Sequence, residues 1–231
     1  MARGGFHVVP NILDDASVSR LLAALEAVEG SGPNVRRRGG VFAIRNLCEV
    51  VPSVRALADS PSVRALVEPA LGPRCFVVRG LLFDKTPEAN WKVAWHQDVS
   101  IAVRGRAEVE GFGGWSVKAG VWHVQPPAEI LAGMLTVRLH LDECDETNGP
   151  LKVIPGSHRR GRLSAKEIQS SRRDHASVTC LVPRGGALLM KPLLLHASSA
   201  AHCARHRRVV HLEFAARDLP AGLRWLGGPD V

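Results

Sequence analysis

From residue 74 onward the sequence consists of short apolar runs, rich in β-branched residues, that are separated by glycine and proline. The runs are irregularly spaced, and no regular series of helical patterns stands between them, which excludes repeated βαβ units. Irregularly spaced short strands with turn signals between them are typical of a sandwich or barrel. The sequence therefore predicts an all-β sandwich or barrel, with strands at residues 75–83, 94–103, 135–141, 151–154, 177–182, 187–190 and 207–214.

The first third of the chain differs, because its apolar residues recur at helical spacing. Asp14 and Asp15 are good N-caps for a helix at residues 16–28. Two further helices are predicted at 52–58 and 61–71, since each range begins with a proline, which the first turn of a helix tolerates. The N-terminal part is therefore predicted to be helical.

The length of 231 residues suits one domain. We predict that residues 1–73 form its helical N-terminal part and residues 74–216 its β core. The stretch 111–130 contains glycine, tryptophan and proline and is predicted to be an insert over one mouth of the core. Its Trp115 either lines that mouth or packs the insert down, and the alternation within the stretch also fits an ordinary strand pair.

The chain is basic, with 30 Lys+Arg against 22 Asp+Glu and a formal net charge of +8. This charge favours anionic ligands. The basic runs at 36–38 and 159–160 lack the interleaved aromatic residues of a nucleic-acid site, so we interpret them as solvated or as the rim of a substrate site. We expect a small-molecule substrate of anionic character and no nucleic-acid partner.

Five cysteines stand singly, without a CxxC pair, and the N-terminal residues contain no apolar signal segment. No run approaches the about 20 apolar residues that cross a bilayer. An odd, dispersed set of cysteines is typical of reduced thiols in the cytoplasm. We therefore expect a cytoplasmic protein without a membrane partner.

Separated polar residues could together hold a metal. His96 and Asp98 would project from one face of a strand, because side-chain direction repeats every second residue, and His196 could add a third ligand. Two imidazoles and one carboxylate on one side of a metal leave its other positions open, as in non-haem Fe(II) oxygenases. Arg207 could hold a dicarboxylate, since its planar fork matches a carboxylate. Each of these elements alone is weak, because a His-x-Asp pair also arises by chance.

Two turn motifs between these positions make the pattern more specific. The motifs in chain order are Trp95-His96-Gln97-Asp98, Asn148-Gly149-Pro150-Leu151, Ile154-Pro155-Gly156-Ser157-His158, and His196 with Ser198 and Arg207. Over residues 82–214 they resemble the phytanoyl-CoA dioxygenase family of Fe(II)- and 2-oxoglutarate-dependent oxygenases. The resemblance implies a double-stranded β-helix, which is a cupin-like jelly roll. It also implies Fe(II), 2-oxoglutarate and O2, with ascorbate as the reductant.

The resemblance further implies roles for individual residues. The residues that match the family's iron ligands are His96, Asp98 and His196. Arg207 follows His196 by eleven residues and matches the cation for the distal carboxylate of 2-oxoglutarate. Ser198 matches a hydroxyl that supports the same carboxylate, and Arg208 would face the opposite side of the strand.

The chain departs from the family at Arg138, where many members have tryptophan. Its guanidinium could contact the co-substrate or an anionic substrate, or it could form a structural ion pair with Glu213. Lys85 could face the pocket or be an ordinary charged residue at a strand end. The 200–206 loop also differs, and we interpret its two histidines and cysteine as loop residues, because structural zinc sites usually need four ligands.

The predicted function is a dioxygenase that converts 2-oxoglutarate to succinate and CO2 while it oxidises, most simply hydroxylates, a small molecule. Asp98 argues against a halogenase, in which a small residue replaces the carboxylate ligand. The alternative is a jelly-roll protein that binds metal or ligand without turnover, for which the altered 200–206 loop would be the reason. The sequence does not identify the substrate.

Overall fold

The computed structural model describes residue 1 and residues 3–28 and 32–229. The strands there are β1 (Phe6–Val9), β2 (Val35–Arg38), β3 (Gly40–Ile44), β4 (Phe76–Lys85), β5 (Val93–His96), β6 (Ile101–Val103), β7 (Gly113–Lys118), β8 (Val121–Gln125), β9 (Leu135–His140), β10 (Leu151–Val153), β11 (Val178–Cys180), β12 (Ala187–Met190), β13 (His196–Ser198) and β14 (Arg207–Ala215). The α-helices are α1 (Asp15–Glu26), α2 (Leu47–Val50), α3 (Pro52–Ala58), α4 (Pro61–Leu71), α5 (Ala128–Ala132) and α6 (Ala165–Asp174). A 3-10 turn spans Ser157–Arg160.

The strands form three antiparallel sheets. A seven-stranded sheet has the order β1-β12-β9-β14-β4-β3-β2, a four-stranded sheet the order β11-β10-β13-β5, and a smaller one the order β6-β8-β7. The first two sheets face each other, because residues of both line one cavity and because Leu151 of β10 shares a core cluster with Leu188 of β12. The predicted all-β jelly roll is confirmed.

The seven-stranded sheet has an apolar outer face and a polar inner face. On β14, Val210, Leu212 and Phe214 join the core cluster that the first, third and fourth helices fill. Burying such a side chain contributes about 1.5–3 kcal/mol. His211 lies between them in sequence and lines the inner cavity, because side chains alternate along a strand. The helices therefore stabilise the fold from outside and leave the inner face for polar groups.

The predicted helices are confirmed, with α3 and α4 at their predicted bounds. Asp14 caps α1, since its side chain accepts from the N–H of Ser17 at 2.7 Å. Within the described ranges no helix is both long enough and apolar enough to cross a membrane.

The prediction of a helical part at residues 1–73 is incomplete, because this part also supplies three strands to the main sheet. β1 pairs with β12 at one edge, and β3, which pairs with β2, extends the sheet from β4. These strands have only four or five residues, and β2 carries the arginines at 36–38. Such strands lack the apolar alternation by which a sequence indicates a strand.

The stretch 111–130 is an ordinary strand pair followed by a short helix, as the alternative interpretation had it. β7 pairs with β8, and β6 adds a third strand. Trp115 packs edge-on against Trp122, with ring centroids 6.2 Å apart, and joins an apolar cluster beneath the hairpin. Trp115 therefore packs the hairpin down, and the residue of this hairpin that lines the cavity is Lys118.

Candidate metal centre

A cavity of about 340 Å³ lies between the two facing sheets. Strand β14 lines it with Arg207 and His211, β9 with Arg138, and β13 with His196 and Ser198. All five side chains are buried. Burying polar groups costs free energy unless they have partners, so the partners of these side chains indicate what the cavity binds.

His96 and His196 meet across neighbouring strands. The register of β13 and β5 places them directly opposite each other, with ring centroids 4.2 Å apart. Each Nε2 atom lies 3.7 Å from a carboxylate oxygen of Asp98, and the three ligand atoms are all within 4.8 Å of one another. A separation of 3.7 Å is too long for a hydrogen bond. It does allow one ion to contact both atoms at the usual ligand distance of about 2.0–2.2 Å.

Asp98 lies in a loop and not on the strand that carries His96. Strand β5 ends at His96, so the predicted continuous strand at 94–103 is wrong. The backbone N–H of Asp98 donates to the carbonyl of Pro192 at 2.9 Å. The two ligands therefore converge through the loop geometry and not through strand alternation.

Gln97 holds this loop in place, a role that the sequence pattern did not indicate. Its side chain is buried, and its Nε2 donates to the carbonyl oxygens of Leu193 at 2.7 Å and Gly161 at 2.8 Å. Its Oε1 accepts from the N–H of Leu163 at 2.8 Å. These bonds tie the loop to the segment that leads into β13 and to the segment between the 3-10 turn and α6. The sequence offered one feature that could have suggested this role, namely that Gln97 is a polar residue between two candidate ligands.

Local contacts leave the ligands in the protonation states that bind a metal. The Nδ1 atoms of His96 and His196 lie 2.8 and 2.9 Å from backbone carbonyls, which can only accept, so the proton is on Nδ1 and each Nε2 keeps its lone pair. Burial lowers the pKa of His196 to about 4. Burial alone would raise the pKa of Asp98, but the imidazoles beside it, His196 first, lower it to about 2. Near pH 7 the histidine is neutral and the carboxylate ionised, as metal binding requires.

Arg207 lies at one end of the cavity with an unused donor. Its Nη1 donates to the carbonyl of Gly149, and its Nε is buried with no partner in the described part of the chain. Lys85, which faces Arg207 across β4 and β14, is buried and donates to the Ser198 hydroxyl at 3.2 Å. Lys85 is therefore an interior residue and not an ordinary strand end. A buried guanidinium with an unpaired N–H indicates an anionic ligand.

The Asn148-Gly149-Pro150 turn supplies the backbone contact of Arg207. Gly149 has φ +72, which favours glycine. A Cβ atom at Gly149 would lie 2.7 Å from the carbonyl oxygen of Ser199 and 2.9 Å from the amine of Lys85. Only glycine fits here, and its carbonyl is the one that accepts from Arg207. The motif therefore has a structural role next to the arginine.

Arg138 faces the cavity and does not form the alternative ion pair with Glu213. Its Nη1 lies 2.8 Å from Nδ1 of His211, and its Nε has no partner among the described residues. Because a guanidinium can only donate, His211 accepts at Nδ1 and presents Nε2 to Glu213 at 3.3 Å. Glu213 pairs instead with Arg79. Burial, followed by the charge of Arg207, lowers the pKa of Arg138 to about 10, which leaves it charged at neutral pH.

Arg208 lies on the opposite face of β14 from Arg207. It donates to both carboxylate oxygens of Asp142, at 2.9 Å from Nε and 2.8 Å from Nη2. In the preceding loop His206 contacts Asp84 at 2.7 Å. Among the described residues the one cluster that could hold a metal is the His-Asp-His group, so the loop forms no zinc site there.

The cavity is also lined by cations that the sequence pattern did not single out. They are Arg45, Arg79 and Lys118, and Trp91 lines the same cavity. Arg45 follows β3, Arg79 lies on β4 and Lys118 ends β7. Because three separate elements supply them, no local motif connects them in the sequence.

Comparison with known proteins gives one family and several distant relatives. A family model described as phytanoyl-CoA dioxygenase (PhyH) matches residues 1–209. Ectoine dioxygenase of Bordetella bronchiseptica is 25% identical over 166 residues, which cover 68% of this chain and 47% of that protein. L-proline trans-4-hydroxylase of Streptomyces griseoviridis is 25% identical over 242 residues, which cover 92% of this chain and 82% of that protein. The chain thus spans about half the length of the ectoine dioxygenase that it matches.

Solved structures show the same fold. EctD from S. alaskensis, solved with 2-oxoglutarate and 5-hydroxyectoine, gives a TM-score of 0.71 at 19% identity, covering 93% of this chain and 73% of that one. AviO1 from Streptomyces viridochromogenes Tue57 gives 0.67 at 20% identity, covering 98% and 93%. At these identities the likeness establishes the fold alone.

Proposed function

The chain belongs to the phytanoyl-CoA dioxygenase family, and we propose that it is an Fe(II)- and 2-oxoglutarate-dependent dioxygenase that oxidises a small molecule. One observation carries the proposal. The cluster of His96, Asp98 and His196 shares a cavity with the buried, incompletely paired guanidinium of Arg207. A metal and a dicarboxylate could therefore bind in the same cavity.

The donor set supports Fe(II) as the metal. Two neutral imidazoles and one carboxylate on one side of an ion form the facial triad of non-haem Fe(II) oxygenases. The backbone carbonyls at both Nδ1 atoms hold the rings of His96 and His196 in the orientation that presents Nε2. When bound, iron and 2-oxoglutarate supply the oxidising chemistry with O2, and succinate and CO2 are released.

The contacts of Arg207 and Ser198 support 2-oxoglutarate as the co-substrate. The free Nε–H of Arg207 can donate to the distal carboxylate. Because the Ser198 hydroxyl accepts from Lys85, its own proton is available to donate to the same group. Arg138 adds a second charged guanidinium with a free Nε–H. These buried cations, with Lys85 among them, favour a dicarboxylate, because its negative charges offset the cost of keeping the cations out of water.

The rest of the cavity suits a small substrate. Phe83, Trp91 and Val99 supply apolar lining, which can exclude water and hold a substrate carbon near the metal ligands. We propose hydroxylation as the outcome, in keeping with the name of the L-proline trans-4-hydroxylase relative. The net charge of +8 supports a substrate with a negative group.

We also propose a cytoplasmic location, with ascorbate as the agent that keeps iron reduced. All five cysteines are free thiols. Free thiols suit a reducing compartment.

Succinate formation tests the proposal. The full chain is supplied with Fe(II), 2-oxoglutarate, ascorbate and O2, first alone and then with ectoine or L-proline as trial substrates. We expect slow succinate release without a substrate and one iron per chain. Asp98→Ala should abolish both iron binding and turnover while the protein stays folded by circular dichroism. Asp218→Ala, which removes an exposed carboxylate, is the matched control and should change neither.

The outcomes separate the two candidate functions. Wild-type protein that binds no iron and forms no succinate would refute the dioxygenase. Binding of both iron and 2-oxoglutarate without succinate formation would instead support the alternative, a jelly-roll protein that binds metal and ligand without turnover.

A further inference from the structure

We propose that Arg45, Arg79 and Lys118 form a second anion-binding subsite, and that the substrate to be oxidised carries a carboxylate or phosphate group that binds there. This inference rests on the proposed function, because it assigns to the substrate the part of the cavity that 2-oxoglutarate does not use.

The two groups of cations lie at opposite ends of the same pair of strands. Arg207 on β14 pairs in register with Lys85 on β4, and Glu213, six residues further along β14, pairs with Arg79. At about 3.3 Å per residue these positions are ~20 Å apart. This backbone separation is much longer than a five-carbon dicarboxylate, so one molecule held by Arg207 leaves the Arg79 end of the cavity open. The second group of cations is therefore available to a different ligand.

Arg45 and Lys118 converge on Arg79. Ile44, the last residue of β3, pairs with Leu82 on β4, which places Arg45 close to Arg79 on the neighbouring strand. Lys118 comes from the β7–β8 hairpin and lines the same cavity. Burial, then the charges of Arg79 and Arg45, lower the pKa of Lys118. The positive charges are therefore close enough to repel one another.

Among the described residues, the protein pairs only one of these three cations with an acid. Glu213 is the acid beside them, and its carboxylate pairs with Arg79. Arg45 and Lys118 have no side-chain hydrogen bond or ion pair to any residue that the structure describes. Asp98, the acid that lines the cavity, lies against the two histidines. Two unneutralised cations in a partly buried site repel each other, and an oxyanion between them would relieve that cost.

An anion at this subsite would also orient the substrate. Leu81 and Phe83 follow Arg79 at every second position of β4 and line the cavity from the subsite towards the Arg207 end. A substrate whose anionic group binds Arg45 and Lys118 would lay its apolar part along these side chains. Fixing one end in this way holds the carbon to be oxidised at a constant position relative to the metal ligands.

The test measures anion binding by isothermal titration calorimetry. The protein is loaded anaerobically with Fe(II) and 2-oxoglutarate, and sodium chloride keeps the ionic strength constant. The probes are sulfate, a tetrahedral oxyanion that represents a phosphate group, and acetate, which represents a carboxylate. Arg45→Gln/Lys118→Gln should weaken binding at least roughly tenfold, as expected for lost charge-assisted hydrogen bonds. Arg45→Lys/Lys118→Arg keeps both charges and should largely retain binding.

Arg38→Gln/Lys152→Gln is the matched control, because it removes the same charge from exposed side chains outside the cavity. Tighter binding of sulfate would identify a phosphate group, and tighter binding of acetate a carboxylate. Equal affinities of the glutamine variant and its control, or no binding of either anion to wild-type protein, would overturn the inference. If the double glutamine variant does not fold, Arg45→Gln and Lys118→Gln are titrated singly, and wild-type affinity in both overturns it. Failure of the proposed function is detected separately, because wild-type protein would then bind no Fe(II) in the loading step and form no succinate.

Discussion

Replacing Arg207 by lysine tests whether this residue binds the co-substrate. Arg207 is 3% exposed, and its Nε is free to bind a ligand. A lysine keeps the charge but loses the planar, two-pronged donor. Loss of one charge-assisted hydrogen bond costs about 1.5–3 kcal/mol, so the Kd of 2-oxoglutarate should rise roughly 10- to 150-fold. Calorimetry on anaerobic, Fe(II)-loaded protein measures this Kd directly, and the KM from succinate formation should follow it.

Arg208→Lys is the matched control, because Arg208 is adjacent in sequence but faces away from the cavity. It loses the two-pronged contact to Asp142, which should lower the free energy of unfolding by about 1 kcal/mol or less. The Kd of 2-oxoglutarate should stay close to the wild-type value. A larger rise in Kd for Arg208→Lys than for Arg207→Lys would show that the inward face of β14 has been assigned wrongly. Wild-type affinity in Arg207→Lys would remove Arg207 from the co-substrate site.

Three further predictions follow from contacts around the site. Gln97→Ala removes three hydrogen bonds of the loop before Asp98. It should lower the free energy of unfolding by about 1–3 kcal/mol and reduce iron content, and full iron occupancy would contradict this. Gly149→Ala forces a strained backbone and a close contact with Ser199. It should destabilise the protein by about 1–3 kcal/mol in urea unfolding and raise the KM for 2-oxoglutarate, whereas wild-type values of both would show that the turn can adjust. Burial, then a neighbouring charge, lowers the pKa of Lys85 from 10.5 to about 8. The unfolded chain therefore holds a proton that the folded protein has released, so wild-type stability should rise between about pH 8 and 10.5. Lys85→Met should lack this part of the rise, and equal slopes in the two proteins would contradict the assignment.

The sequence determined those parts of the structure that depend on short-range patterns. Apolar runs between turn residues placed most core strands, and β12 has the predicted bounds. Proline at the first turn located α3 and α4. The Asn148-Gly149-Pro150 turn was also visible, because a backbone with positive φ and close neighbours requires a particular residue type. Each of these features is set by a few consecutive residues.

The tertiary structure alone decided how distant residues meet. His196 lies opposite His96 because β13 pairs with β5 in one register, and Asp98 reaches both from a loop held by Gln97. No local pattern encodes a pairing between segments about a hundred residues apart. For the same reason the three short strands in residues 1–73 were missed, since the neighbouring strand provides the hydrogen bonds that define each of them.

The cations of the proposed anion subsite show most clearly what could not be predicted from the sequence. In the sequence Arg45, Arg79 and Lys118 resemble many other basic residues of a chain with a formal net charge of +8. Their meaning comes from burial and from the fact that, among the described residues, Glu213 alone pairs with one of the three, and both depend on which elements pack together. The residue type determines what a side chain can do chemically. Three-dimensional packing determines which charges remain for a ligand to neutralise.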